Sequence, residues 1–246
     1  MILAVSGKGG VGKTTISAIA AKALGEKGER SLIVDADPAG GLAMTLDVSP
    51  KKTLNDVRKE LIAEVKEGKR DERDLAVSLD YLLAEALNER GRLSFLSVGR
   101  PEDAGCYCRV NVILKGAIES LADKFSSVII DAEAGVEQVN RQVLGAVDYV
   151  LLASDTSAKG VKVAETIRDV ATRFAPDAKC GLVINRARGG EDAGAATSRT
   201  DVEYLGFVPE DETVRRFDEE GRGFLELPDC PAQSAIKAIL AKAGLL

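Results

Sequence analysis

The segment SGKGGVGKTT, Ser6 to Thr15, decides how the rest of the chain is read. Gly7, Gly9 and Gly12 spell G-x-G-x-x-G, the spacing of a dinucleotide-binding turn, but that match alone is weak. The continuation is more specific: Gly7 to Thr14 reads G-x-x-x-x-G-K-T, which a dinucleotide turn does not need. The chemistry explains the spacing. Successive backbone N–H groups can wrap a phosphate only where no Cβ intrudes, and a helix N-terminus adds partial positive charge at the same place. Lys13 is then expected to reach the β- and γ-phosphates of ATP, and the Thr14 hydroxyl to take a place on Mg²⁺. Gly9, Gly10, Val11 and Thr15 complete the set expected to hold the nucleotide.

Outward from this loop, short β-branched runs alternate with helical patterns. ILAVSG (2–7), SLIVDAD (31–37), RLSFLSVG (92–99), SSVIIDAE (126–133), DYVLLAS (148–154), CGLVIN (180–185) and EYLGFVP (203–209) read as strands. The runs are largely continuously apolar, which predicts parallel strands covered on both faces. The fold class is therefore α/β: a doubly wound, mostly parallel sheet flanked by helices on both faces, in one domain over 1–246. Lys13 to Lys27 forms a helix with Ile16, Ile19, Ala20, Ala23 and Leu24 as its apolar stripe, stopped by Gly28. Residues 51–90 are charge-rich and predict an insertion of two helices with no strand, the charge run Lys66 to Asp74 being their solvated connection. The glycine-rich stretch 186–201 predicts a mobile loop. The C-terminal AQSAIKAILAKAGLL (232–246) predicts a docking helix; it lacks Trp and Phe and is too weakly basic for a membrane anchor.

Composition narrows the function. A net charge of -6 argues against a protein built to grip nucleic-acid phosphates. The absence of histidine removes imidazole bases and imidazole metal ligands from any mechanism. The opening residues do not read as a signal peptide, because Lys8 interrupts a short apolar start, so a cytoplasmic location is expected. No apolar run is long enough to span a bilayer, so no membrane partner is expected.

Two groups of residues carry further chemistry. Asp131 ends the apolar strand SSVIID, where a carboxylate would meet Mg²⁺, although aspartate at a strand end is also an ordinary turn former. Asp35 and Asp37, in IVDADP, would end a neighbouring strand beside the phosphate loop, and one of them could orient the attacking water. Cys106 and Cys108 lie in PEDAGCYCRVN, before an apolar helix expected from about Arg109. A disulfide between residues two apart closes a strained ring, so metal is the better functional reading, with two incidental small apolar residues as the alternative. One pair supplies two thiolates, and a twofold dimer would supply four. Cys180 reads as core and Cys230 as a surface turn.

GKGGVGKTT together with VDADP (34–38) resembles the deviant Walker A ATPases related to MinD, ParA and the nitrogenase iron protein. The resemblance implies a nucleotide-sandwich homodimer in which Lys8, the signature lysine, crosses to the partner's phosphates like an arginine finger supplied in trans. It also implies that Asp37 is the hydrolytic switch residue, that Asn185 reads adenine with Arg186 beside it, and that Pro209 belongs to the late adenine-side loop. The D-x-x-P-G expected after the Asp131 strand is here DAEAG, with Ala134 in place of proline and Glu133 adding a charge. Within this group, GCYCR (105–109) with IDAEAGVEQVNR (130–141) resembles the CooC-type nickel-insertion accessory ATPases of carbon monoxide dehydrogenase and their relatives serving acetyl-CoA synthase. That implies a Cys106/Cys108 site at the dimer interface for Ni²⁺, with Zn²⁺ as a competitor, and a nickel enzyme as client. The resemblance runs from the phosphate loop to Pro209 and does not cover 51–90. Two rivals stay open: a positioning ATPase that works on membrane or DNA, and an Fe–S scaffold or electron carrier using the same thiolates.

Overall fold

The computed structural model of the chain describes residues 1–66, 79, 81–100, 119–132 and 147–246. Its strands are β1 (Ile2–Gly7), β2 (Ser31–Asp35), β3 (Asn88–Arg90), β4 (Leu93–Ser97), β5 (Ser127–Asp131), β6 (Tyr149–Ser154), β7 (Lys179–Ala187) and β8 (Tyr204–Pro209). They form one sheet in the order β3-β4-β2-β5-β1-β6-β7-β8. Every pairing is parallel except β3 with β4. Helices α1 (Lys13–Glu26), α2 (Gly41–Thr45), α3 (Leu54–Lys66), α4 (Ala158–Phe174), α5 (Gly190–Thr197), α6 (Glu212–Glu219) and α7 (Pro231–Lys242) accompany it.

The continuous apolar runs are explained by covering on both faces. Along β5, Val128 and Ile130 enter one core while Ile129 enters the other; along β2, Leu32 and Val34 divide from Ile33 in the same way. Side chains two apart share a face, so a strand with no polar face must have an apolar layer on each side. Helices α1 and α7 belong to one layer, and α3 and α4 to the other. Helix α1 is buried more widely than a single stripe, because Ala18 and Ala21 are enclosed along with Ile16, Ile19, Ala20, Ala23 and Leu24. Small alanines let sheet and neighbouring helix approach from two sides. Gly28, at φ 83, lies beyond the last turn of α1.

Three expectations need correction. The 51–90 segment contains a strand after all: β3 pairs antiparallel with β4, placing Asn88 opposite Phe95. Its three residues, two of them charged, carry no β-branched signal, so backbone pairing at the sheet edge alone makes it a strand. The 186–201 stretch is not a loop; β7 runs to Ala187 and α5 follows, with Ala193 and Ala196 buried. Its buried alanines pack against the core, and Glu191 and Asp192 suit the positive end of the helix. Cys230 is buried at the start of α7 rather than lying on a surface turn, with Pro231 opening the helix behind it. Cys180 is half-buried against the core as expected. Helix α7 docks through Ala232, Ile236, Ile239 and Leu240. Cys106, Cys108, Glu133, Ala134 and almost all of the 66–74 charge run lie outside the described residues.

Candidate functional site

The central strand β1 delivers the phosphate loop. Its neighbours β5 and β6 both come later in the chain, so the crossovers diverge on either side of β1 and open a crevice at the strands' C-terminal ends. Gly7 pairs with Ala153 of β6, and a Cβ there would lie 2.2 Å from the Ala153 carbonyl oxygen. Gly12, at φ 89, would place a Cβ 2.3 Å from Asn185 Nδ2. Each glycine therefore answers a steric demand, and Gly12 a conformational one as well. The loop closes on α1, whose first residue is Lys13, and Ile16 N–H donates to the Gly12 carbonyl at 3.0 Å.

Beside the loop is a cavity of about 380 Å³, within the usual range of small-ligand sites, about 300–1,000 Å³. Gly9, Gly10, Gly12, Lys13 and Thr14 line it from the loop, and Asp37 and Arg186 from elsewhere in the chain. Val11 is buried behind it, and Thr15 follows on the first turn of α1.

Asp131 does not line the cavity itself; it is buried at the end of β5, joined to the lining residue Thr14. Thr14 Oγ1 donates to its Oδ2 at 2.8 Å and Ser17 Oγ to its Oδ1 at 2.9 Å. Burial pushes the Asp131 carboxyl up to about 6; the two hydroxyl bonds oppose this and the neighbouring Asp35 charge adds to it. A desolvated carboxylate paired with a threonine hydroxyl is a hard oxygen donor set that suits Mg²⁺. Ser17 was missed in the sequence reading. Its signal was position: three residues after Thr14 on α1, it shares that helix face.

The two aspartates of IVDADP have different jobs. Asp35 sits directly beside Asp131 in the sheet register and is fully buried. Its Oδ1 accepts from Asp37 N–H at 3.2 Å and its Oδ2 from Ala43 N–H at 3.1 Å, so it pins the backbone around Asp37. Burial raises its pKa. Asp37 lines the cavity, and its Oδ1 accepts from Ala39 N–H at 2.8 Å. Of the pair, Asp37 is the one that faces the cavity.

Lys8 does not line the cavity. Its Nζ lies 3.4 Å from Asp155 Oδ2, just beyond β6 in the same chain. Asp155 also accepts from the backbone N–H and hydroxyl of Ser157, the residue that caps α4. Burial works to raise the Asp155 pKa, but the Ser157 and Lys8 bonds outweigh it and hold the carboxyl below its ordinary value.

On the other side of β1, Asn185 is buried and donates through Nδ2 to the Val11 carbonyl at 2.7 Å. Arg186 follows it and reaches Gly10. Pro209 ends β8 beside Ala187, on the same side of the site but not lining the cavity. The structure thus gathers Lys13, Thr14, Asp131, Asp37, Asn185 and Arg186 around one loop and leaves Lys8 turned to Asp155. Among the described residues there is no cluster of three or more Cys, Asp or Glu side chains that could hold a metal, and no helix long and apolar enough to cross a membrane.

Comparison with known proteins agrees with this geometry. The CobQ/CobB/MinD/ParA nucleotide binding domain matches residues 2–224. An uncharacterized ATP-binding protein of Methanocaldococcus jannaschii is 36% identical, covering 93% of this chain and 92% of its own length. The carbon monoxide dehydrogenase accessory protein CooC of Rhodospirillum rubrum is 27% identical, covering 99% and 98%. Among solved structures, the cell division ATPase MinD of Pyrococcus furiosus superposes with a TM-score of 0.72 at 24% identity, covering 99% of this chain and 98% of that one. With its phosphate loop, buried aspartate and doubly wound sheet in place, the chain belongs to the CobQ/CobB/MinD/ParA nucleotide-binding family and is a P-loop ATPase.

Proposed function

We propose that this ATPase is a metallochaperone that loads nickel into carbon monoxide dehydrogenase or acetyl-CoA synthase. Two copies close around ATP. Lys8 leaves Asp155 and crosses to the partner's phosphates, while Lys13 holds the phosphates of its own subunit. Asp37, steadied by Asp35, orients the attacking water. Thr14 and Asp131 hold Mg²⁺, which supplies charge neutralisation on the phosphates. Closure brings the Cys106 and Cys108 of both copies together as a four-thiolate site for the cargo Ni²⁺, which Zn²⁺ can also occupy. Hydrolysis weakens the contact and frees the ion for the client.

The observation that carries this reading is Cys106-x-Cys108 in a chain that an accessory protein of carbon monoxide dehydrogenase matches over 99% of its length. Lys8 adds support: a lysine inside a phosphate loop yet parked on Asp155 suits a site completed by a second subunit. The test is an anaerobic Ni²⁺ titration with and without a non-hydrolysable ATP analogue, following particle mass at each step. One Ni²⁺ per dimer is expected only with the analogue, falling in acid as the thiolates protonate. Unchanged Ni²⁺ stoichiometry in the Cys106→Ser/Cys108→Ser variant would refute the reading. ATP-dependent sedimentation with liposomes or DNA would instead favour a positioning ATPase. Visible charge-transfer absorption in anaerobically purified protein would favour a cluster scaffold.

A further inference from the structure

The geometry points to Arg100 as the positioning residue of the Asp37 turn: its guanidinium grips the one peptide unit whose N–H fixes the Asp37 carboxylate at the edge of the phosphate-loop cavity. This rests on the reading of Asp37 as the group that orients the attacking water, and it assigns the control of that carboxylate to a residue outside the cavity.

Pro38 and Ala39 share a peptide plane, and both of its polar ends are held. The N–H, belonging to Ala39, donates to Asp37 Oδ1 at 2.8 Å, and the carbonyl, belonging to Pro38, accepts from Arg100 Nε at 3.0 Å. A peptide unit is rigid, with C=O and N–H pointing in opposite directions, so fixing the carbonyl fixes the direction in which the N–H is presented. A cationic donor on the carbonyl also polarises the unit and strengthens the bond at its far end. The Asp37 carbonyl closes the turn by accepting from Gly40 N–H at 2.9 Å, and Asp35 Oδ1 accepts from Asp37 N–H at 3.2 Å from within the core. The turn is thus tethered on its buried side by Asp35 and on its outer side by Arg100. Ala39 is exposed, so side-chain packing does not replace the outer tether.

Arg100 is itself exposed, and an exposed arginine ordinarily gives up rotamer freedom for little return. Here the backbone that carries it is fixed in advance. Strand β4 ends at Ser97, beside Asp35 in the register. Val98 N–H donates to the Asp35 carbonyl at 2.8 Å, and the Val98 carbonyl accepts from Asn55 N–H at 3.1 Å, in the first turn of α3. Gly99 then turns the chain at φ 76, so close to Thr53 that a Cβ there would stand 2.6 Å from Thr53 Oγ1. Thr53 is fixed in its turn by reciprocal bonds with Asp56: its Oγ1 donates to Asp56 Oδ2 at 2.7 Å and accepts from Asp56 N–H at 3.2 Å. The end of β2, the start of α3 and a left-handed glycine therefore converge on one outcome, an arginine aimed across 62 positions of sequence at the carbonyl next to Asp37.

A residue that acts on the water through Asp37 lowers turnover and leaves nucleotide binding alone. Steady-state ATP hydrolysis and the dissociation constant of Mg²⁺-AMP-PNP are measured on the full chain, on Arg100→Ala, on Arg100→Lys and on Asp37→Asn. Arg100→Ala should lower kcat about ten-fold, the cost of one hydrogen bond realised in the transition state, with KM and the AMP-PNP constant within about two-fold. Arg100→Lys keeps a cationic donor and should recover most of the loss. A weakening of AMP-PNP that matches the fall in kcat/KM would show a nucleotide-binding cation, a lysine variant no better than alanine would show a loss of packing, and an unchanged kcat in Arg100→Ala would show an idle side chain; each of these results overturns the proposal. Full turnover by Asp37→Asn would instead overturn the reading of Asp37 on which it depends.

Discussion

Replacing Asp131 with asparagine separates what this carboxylate contributes to chemistry from what it does to stability. The side chain is almost wholly buried at the end of β5, and burial, with Asp35 alongside, pushes its carboxyl from 3.8 up to about 6 despite bonds from Thr14 and Ser17. A difference of that size corresponds to about 3 kcal/mol between the two protonation states. The sign follows from proton uptake. As pH falls, the folded chain takes up this proton before the unfolded chain does, so the ionised group destabilises the fold at neutral pH. That burden lightens as pH drops below about 6 and is gone below about 3.8. Asparagine mimics the protonated form. Without nucleotide or metal, Asp131→Asn should therefore be more stable than the parent by up to about 3 kcal/mol at pH 7, narrowing to about 1 kcal/mol at pH 4.5. The gain is partly offset because one of the two hydroxyls must turn to accept from the new amide. Urea unfolding in EDTA at both pH values measures the gap, and ATP hydrolysis by the same variant should be lost. A variant no more stable than the parent at pH 7, or a gap that ignores pH, would refute the burial argument.

Two further predictions concern the loop. Gly12→Ala should destabilise the chain by about 1–3 kcal/mol and abolish nucleotide binding, because its Cβ would meet Asn185 Nδ2 at 2.3 Å on a left-handed backbone; thermal melting and calorimetry check both effects. Asp155→Asn removes the partner that holds Lys8. Both side chains are a third or more exposed, so stability should change by less than about 1 kcal/mol, while ATP-dependent dimerisation, followed by light scattering, should set in at lower protein concentration. An unchanged threshold would show that the pair plays no part in dimerisation.

Much of the site could be read directly from local sequence. Gly7, Gly12, Lys13 and Thr14 are contiguous, and their chemistry depends on backbone conformation over a few residues, so spacing alone was informative. Asp131 was harder to assign, because an aspartate at a strand end has many uses; the hydroxyls of Thr14 and Ser17, 117 and 114 residues away, give it one. The 186–201 stretch was misread because small residues carry the same composition in a mobile loop and in a tightly packed helix. Burial of Ala193 and Ala196 against the rest of the fold tells the two apart.

The sequence by itself determined the layered α/β architecture and the identity of the phosphate loop, because both follow from short-range pattern: apolar runs too continuous to have a wet face, and glycines at fixed spacing before a lysine. Only the tertiary structure decided the division of labour around that loop. It put Asp35 in the core and Asp37 at the cavity, turned Lys8 to Asp155, and bulged β7 so that Arg186 folds back over Gly10. These outcomes depend on which distant strand ends meet at β1, and no local pattern encodes a contact between residues more than a hundred positions apart.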